Sequence, residues 1–361
     1  MNLRELKVEL TQRCPLACVH CSTDSHRRKT SALPEETVFR LLHEASALGV
    51  EKIAFSGGEP LLAPYLTQLI KETSALGIHS SLYTCGVADF ELNPLGAAAA
   101  RDLAGSGLGR FIFSIYSLRP EVHNSVTRLQ TFAVTVLALQ NAVTTGVPVE
   151  VHFVAMRRNF RDLPNLVEAA DRWGVGRVSV LRFVPHGRGG SIAEREDLTS
   201  EEMRELRDII LSTRAAFPRV NLRAGSPYNI LGVGHTACDA AKAVLTVNHR
   251  GEIFPCDAFK NVEYEDLKFG SVLNRPLREV WEQSGFLNRV REELAAGPIQ
   301  SCGSCGEFSG CQSGCLAQKV IRDGWTAASQ PDPSCLVQIA GVQHPRLEAR
   351  AHSAEQLVQI H

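Results

Sequence analysis

The sequence predicts an α/β fold built on a parallel sheet, followed by a small, loop-rich unit that a hydrophobic core alone cannot hold together. Two observations carry the prediction. Six short β-rich runs alternate with amphipathic helical patterns before residue 184, and seven of the eleven cysteines lie between Cys238 and Cys335, where regular structure is sparse. At 361 residues and 44% hydrophobic content, the chain has room for two or three structural units.

The first strand is Leu6 to Leu10. Val38, Leu41, Leu42, Ala45 and Leu48 then recur at helical spacing before Gly49, completing one βα unit. Further strands are predicted at Lys52 to Phe55, His79 to Tyr83, Arg110 to Ile115, Val149 to Val154 and Arg177 to Phe183. Six such units suit either a doubly wound sheet or an incomplete barrel, and periodicity does not choose between them. After Phe183 comes a polar, Gly-containing loop from Pro185 to Asp197, then a helix whose Thr199 and Glu202 form a capping-box pattern. The break places a core unit at residues 1–198, a helical or extended linker at 199–234, a cysteine-rich unit at 235–340 and a peripheral tail at 341–361. Within the cysteine-rich unit, Asn248-His249-Arg250-Gly251 signals a hairpin and Pro276 to Ser284 a helix.

Charge excludes some partners. Thirty-eight Lys+Arg against 39 Asp+Glu leave a net charge of −1, too little to gather nucleic acid or a membrane surface. The N-terminus lacks the apolar stretch of a signal peptide, and no segment approaches about 18 uninterrupted apolar residues, so a cytoplasmic location is expected. In that reducing compartment, eleven cysteines point to metal or redox chemistry rather than disulfides.

Cys14, Cys18 and Cys21 form CxxxCxxC directly after the first strand, at the end of the sheet where parallel α/β folds keep their active sites. Three thiolates can hold three irons of a [4Fe–4S] cluster and leave the fourth open to a chelating substrate. The alternative is zinc, which wants four ligands and would have to recruit His20 or His26. Ser56-Gly57-Gly58-Glu59-Pro60 follows the second strand. There the glycines let the backbone approach a ligand and Glu59 offers a carboxylate, although the same residues also read as a plain turn.

The stretch Glu9-Leu10-Thr11-Gln12-Arg13-Cys14-Pro15-Leu16-Ala17-Cys18-Val19-His20-Cys21 resembles the radical SAM superfamily, whose signature is this spacing at this position. The resemblance implies a partial (β/α)6 TIM-like barrel with a [4Fe–4S] cluster on Cys14, Cys18 and Cys21, the open iron being chelated by S-adenosylmethionine (SAM). It further implies reductive cleavage of SAM to methionine and a 5′-deoxyadenosyl radical that takes hydrogen from a substrate. Gly57, Gly58, Glu59 and Pro60 match the family's motif for the SAM amino group. Tyr83-Thr84-Cys85-Gly86 stands where the family often has a Thr-Asn-Gly turn, so Cys85 is a departure and reads as a buried free thiol. Ser114 and Arg182, at the ends of the fourth and sixth strands, are candidates to face SAM or substrate, as are His152 and Asn159. Each also reads as a satisfied polar group of the barrel.

The remaining cysteines run Cys238, twelve residues, Gly251, four residues, Cys256, a gap, Cys302xxCys305xxxxxCys311xxxCys315, a gap, and Cys335. This pattern resembles the SPASM domain, named for radical SAM enzymes that mature subtilosin, pyrroloquinoline quinone, anaerobic sulfatase and mycofactocin. The resemblance implies a small, loop-rich domain with two auxiliary [4Fe–4S] clusters, one on Cys302, Cys305, Cys311 and Cys335 and the other on Cys238, Cys256 and Cys315. The second set is one ligand short, with His235, Asp239, another group or substrate as candidates for the fourth. Zinc knuckles are the rival for this spacing. Asp257, beside Cys256, is a candidate general base, because sulfatase-maturing relatives use an Asp at this place. A turn or capping aspartate is the rival reading.

The SPASM resemblance implies a ribosomally made peptide as substrate, to be cross-linked, epimerised or oxidised. A motif that starts at Cys14 leaves no room ahead of it for a recognition domain. A separate leader-binding protein, a short substrate or a small molecule is therefore expected, with a flavodoxin or ferredoxin as electron donor. The competing enzymatic expectation is a sulfatase-maturase-like or small-molecule dehydrogenase, and the non-enzymatic one a zinc-stabilised binding module.

Overall fold

In the computed structural model, which describes residues 1–234, 237–260, 270–297, 299, 302–306 and 308–336, the six predicted strands form and pair in chain order. They are β1 (Glu5–Thr11), β2 (Lys52–Gly57), β3 (His79–Thr84), β4 (Arg110–Ser114), β5 (Val149–Ala155) and β6 (Arg177–Arg182). Each is parallel to its neighbour, with Leu6 opposite Ile53 and Val8 opposite Phe55 between β1 and β2, and Phe111 opposite Val149 between β4 and β5. A doubly wound sheet needs a point where strand order reverses. These six strands have none, so the fold is the incomplete barrel.

The two faces of the strands show how the sheet curves. Leu6, Val8, Ile53, Phe55, Phe111, Phe113, Val151 and Phe153 are at most 1% exposed, and they share one core with helical residues such as Val38, Leu41 and Leu42. The helix Glu35–Ala47 that supplies these three follows Pro34 and carries Glu35 and Glu36 in its first turn, at the positive end of its dipole. Residues two apart share a strand face, so the opposite face carries Glu5, Lys7 and Glu9, then Tyr83, then Glu150 and His152. Lys7 of β1 stands 5.8 Å over the Tyr83 ring of β3, whose ring in turn lies 5.1 Å from that of His152 on β5. Each contact skips a strand. Neighbouring strands are about 4.8 Å apart, so these side chains meet because that face is concave.

Beyond β6 the chain departs from the expectation. Residues 199–234, expected as a helical or extended linker, contain the expected helix, Ser200–Ala216, and an unexpected strand, β7 (Asn221–Ala224), that pairs in parallel with β6. The helix begins at the predicted capping box, where Thr199 Oγ1 accepts from the Glu202 amide at 3.2 Å and Glu202 Oε2 from the Thr199 amide at 2.8 Å. β7 escapes a sequence reading because only Leu222 and Ala224 alternate with the polar Asn221 and Arg223, too short a run to register. The cysteine-rich unit joins the sheet too. Its β8 (Val244–Val247) lies parallel to β1 on the free edge, and β9 (Ile253–Phe254) closes the predicted hairpin. The nine-stranded sheet runs β7-β6-β5-β4-β3-β2-β1-β8-β9, and β8 covers a β1 edge that would otherwise be unpaired.

The predicted helix near Pro276 is Leu277–Gln283. His235 and the tail at 341–361 lie outside the described residues. Among the described residues, no helix is long and apolar enough to cross a membrane.

Candidate active site

β1, β2 and β3 lie side by side, and the segments leaving their carboxyl ends are the three motifs singled out above. The glycines of the second are required by the first. Gly58 N donates to Thr11 O at 2.6 Å and Glu59 N to Arg13 O at 2.9 Å, stitching this loop to the loop that carries Cys14. A Cβ on Gly57 (φ +122°) would come within 2.4 Å of Thr11 O, and one on Gly58 within 2.0 Å of Arg13 O. These glycines were expected to let the backbone approach a ligand. The structure has them packed against the backbone of the cysteine loop.

Glu59 heads the short turn Pro60–Leu62 and is fully buried. Its Oε1 accepts from Thr84 Oγ1 at 2.7 Å and Leu61 N at 3.1 Å, while Oε2 accepts from Cys85 N at 2.8 Å and Cys85 Sγ at 2.9 Å. Burial pushes the carboxyl up, and the bonds from Cys85, Thr84 and Leu61 oppose that. Among the described residues no cationic side chain pairs with it. Cys85 was expected as a buried free thiol. It forms no disulfide, but it is half-buried and is one of the donors that orient Glu59.

Cys14 is buried, and Cys18 and Cys21 are half-buried. Burial raises the Cys18 thiol well above its ordinary range, the neighbouring Cys14 and Cys21 add to this, and Arg188 opposes it. The three thiols are thus within electrostatic reach of one another. The Ser25 amide donates to Cys21 Sγ at 3.4 Å. Arg188 was not anticipated, because it sits in the loop after β6 that marked the end of the sequence pattern.

The cysteine-rich unit gathers its thiols in two places. Burial raises Cys256, and Cys238 and Cys315 raise it further. Cys311 is pushed up to about 11 by burial, with Cys335 and Cys302 adding to the shift. Cys238, Cys256 and Cys315 therefore neighbour one another, and Cys311 neighbours both Cys302 and Cys335. Between the two groups lies Asp332, whose Oδ2 accepts from Cys315 N and whose Oδ1 accepts from Ser334 N, both at 2.9 Å. Asp239 lies 3.9 Å from the Arg4 guanidinium.

Several predicted site residues turn out to be committed to the protein. Arg182, expected to face SAM or substrate, spends its terminal nitrogens on Asp332, Ser334 Oγ and Pro227 O, and it is 6% exposed. Asn159 accepts from Met156 N at 2.7 Å and donates to Tyr116 O and Val154 O. His152 sits 3.1 Å from Glu150. Ser114 is the last residue of β4 and stands opposite His152 of β5. Asp257 is held by Lys7 at 2.7 Å and Lys260 at 3.1 Å. Burial alone would raise its carboxyl, but these two ammonium groups overcome burial and hold it far below the carboxylate range. A carboxylate so stabilised is a poor proton acceptor. The same Lys260 reaches Glu9 at 2.6 Å. Burial works against the Glu9 charge, yet Lys260 and His249 lower its pKa to about 2.

The donor sets fit iron–sulfur clusters and a cofactor amine. Among the described residues, no three His, Cys, Asp or Glu converge closely enough to hold a single metal ion. A multi-iron cluster needs no such convergence, since its thiolates bind separate irons. A buried carboxylate that lacks a cation is, likewise, suited to receive an ammonium group.

Residues 8–170 match the radical SAM superfamily, and residues 238–306 match an iron–sulfur cluster-binding domain, SPASM. The chain is similar to mycofactocin maturase MftC of Mycobacterium ulcerans (strain Agy99), 28% identical over 354 residues that cover 96% of this chain and 90% of that protein. It is also similar to a PqqA peptide cyclase of Streptomyces rochei, 28% identical over 339 residues, covering 91% and 88% respectively. In fold it resembles Streptococcus suis SuiB bound to the precursor peptide SuiA, with a TM-score of 0.75 at 17% identity, covering 92% of this chain and 76% of that one. It likewise resembles anSMEcpe with bound AdoMet and a peptide, with a TM-score of 0.67 at 17% identity, covering 88% and 91%.

Proposed function

Because this chain belongs to the radical SAM superfamily and carries a SPASM domain, we propose that it is a maturase of a ribosomally made peptide, installing a cross-link, an epimerised centre or an oxidation. One observation carries the reading: three thiols and a buried carboxylate with no cationic partner among the described residues meet where β1, β2 and β3 end side by side. When bound, a [4Fe–4S] cluster and SAM supply the 5′-deoxyadenosyl radical that abstracts hydrogen.

Each residue has a role in this reading. Cys14, Cys18 and Cys21 hold the first cluster. Glu59 takes the SAM ammonium, oriented by Thr84, Leu61 and Cys85. Gly57 and Gly58 let the Glu59 loop lie against the cysteine loop, and Pro60 opens the turn that fixes Glu59. In this reading Ser114, the last residue of β4, faces SAM. Cys302, Cys305, Cys311 and Cys335 hold one auxiliary cluster, and Cys238, Cys256 and Cys315 the other. Alignment with a peptide cyclase over 91% of the chain supports a peptide as substrate. The reading includes a flavodoxin or ferredoxin as electron donor, a separate leader-binding protein and a cytoplasmic setting, in keeping with eleven cysteines that form no disulfide.

A sulfatase-maturase-like or small-molecule dehydrogenase is the second reading. It would use Asp257 as base, and the ion pairs with Lys7 and Lys260 speak against that. Anaerobically reconstituted protein, given reductant and SAM, should release 5′-deoxyadenosine, and Cys18→Ala should abolish the release. Mass spectrometry of a co-expressed candidate peptide then reads the modification, and an unchanged mass across all candidates would remove the peptide assignment.

A further inference from the structure

We propose that Arg188 is a positioning residue for the first cluster, clamping the Cys18–Ser25 turn from the end of β6 and promoting reduction of that cluster through its fixed positive charge. The inference rests on the reading that Cys14, Cys18 and Cys21 hold that cluster.

The clamp is a set of four bonds onto one short turn. Arg188 Nε donates to Cys18 O at 2.9 Å, Nη1 to Asp24 Oδ1 at 2.7 Å, and Nη2 to Ser25 O at 2.7 Å. The Arg188 amide donates to Cys21 O at 3.1 Å. Three of the four acceptors are backbone carbonyls, Cys18 O and Ser25 O held by the guanidinium and Cys21 O by the Arg188 amide, so Arg188 fixes the path of the chain around the second and third cysteines whatever the intervening side chains are. Its side chain is 15% exposed, which limits screening by solvent. The approach is built into the backbone. Gly187 has φ +54°, and a Cβ there would meet Ser22 O at 2.5 Å and Cys21 O at 2.6 Å. The loop after β6 therefore docks carbonyl-close on the loop after β1, although β6 and β1 are separated by four strands in the sheet. Only curvature of the barrel brings the two loops together.

The electrostatic consequence follows from charge. Reduction adds one electron to the cluster from a low-potential one-electron donor, and no bond is made or broken in that step. A nearby guanidinium stabilises the state with the extra negative charge and so raises the reduction potential. Asp24 opposes this, because it pairs with Arg188 at 2.7 Å and with Lys29 at 2.8 Å. Removing either charge should therefore move the potential in opposite directions. Simple loosening of the turn would not do so.

The test is a redox titration of the full reconstituted chain, followed by the electron paramagnetic resonance component that responds to added SAM, with iron and sulfide measured on the same samples. In Arg188→Gln, the ratio of reduced to oxidised cluster at a fixed solution potential should fall about tenfold, equivalent to a midpoint lowered by about 59 mV. Arg188→Lys, which keeps the charge, should recover most of that shift. Asp24→Asn should raise the midpoint. A wild-type midpoint in a fully loaded Arg188→Gln overturns the proposal. If that variant loses the cluster, Asp24→Asn decides, and an unchanged or lowered midpoint there overturns it. A SAM-responsive signal that survives in Cys18→Ala would instead sink the underlying cluster assignment.

Discussion

Arg182, the last residue of β6, and Asp332, between Cys315 and Cys335, form a buried bidentate ion pair with both N···O distances 2.8 Å and side chains 3% and 1% exposed. Because Asp332 also accepts from Cys315 N and Ser334 N, this one contact fastens the barrel to the segments carrying cysteines of both auxiliary groups. Removing one partner leaves a buried charge uncompensated, at a cost of about 3–5 kcal/mol, whereas removing both is milder. Anaerobic denaturant unfolding should rank Arg182→Met and Asp332→Leu each well below the double variant. A double variant no better than the worse single would refute the pairing as the source of the effect.

Asp257 is expected to act as an ion-pair partner rather than a base. Asp257→Asn strips Lys7 and Lys260 of their shared anion, so it should lower stability while product formation stays within about tenfold of wild type. Loss of a general base costs about 10²–10⁴. A hundredfold drop in product in a folded, fully loaded variant would restore the catalytic role.

Gly58→Ala places a methyl group 2.0 Å from Arg13 O, a backbone atom that cannot swing aside. The loop must shift, and Glu59 shifts with it. SAM cleavage should fall by about 10²-fold, the cost of displacing a positioned group by roughly 1 Å. Iron content of the first cluster should change little. Cleavage at the wild-type rate would mean that this close packing is dispensable.

His123 should make stability depend on pH. It is fully buried, its Nε2 has no hydrogen-bond partner among the described residues, and burial pushes its imidazole down to about 4. The unfolded chain binds this proton near pH 6.5 and the folded one only near pH 4, so the stabilisation is complete above about 6.5 and is lost as pH falls toward 4. The most it contributes is about 3 kcal/mol. Between pH 7 and 5, His123→Phe should flatten the fall in unfolding free energy by up to one proton's worth. Parallel slopes for the two proteins would contradict the assignment.

The sequence was legible wherever a pattern repeated. Six strands alternate apolar residues on one face, and the cysteine spacings are local, so both could be read without coordinates. Arg188 was missed because its partners, Cys18 to Ser25, lie far away in sequence and most of its contacts are to backbone, which no side-chain pattern records. β7 was missed because four residues carry too little periodicity. Arg182 and Asp257 were seen as polar residues at strand or ligand positions, but Asp332 and Lys7 lie 150 and 250 residues from them, and Lys260, three residues after Asp257, falls on no repeating pattern.

By itself, then, the sequence determined the α/β class, the three motifs at consecutive strand ends and the separation of an N-terminal cysteine triplet from seven C-terminal cysteines, because each depends on spacing along the chain. Periodicity left the doubly wound sheet open and the motif resemblance implied the partial barrel, which the tertiary structure bore out; only that structure drew β7 and β8 onto its edges and separated the buried Glu59, which has no cationic partner among the described residues, from the ion-paired Asp257. Those outcomes depend on which distant charges a curved sheet brings within hydrogen-bonding distance, and the electrostatic cost of burial makes that proximity decide what each carboxylate can do.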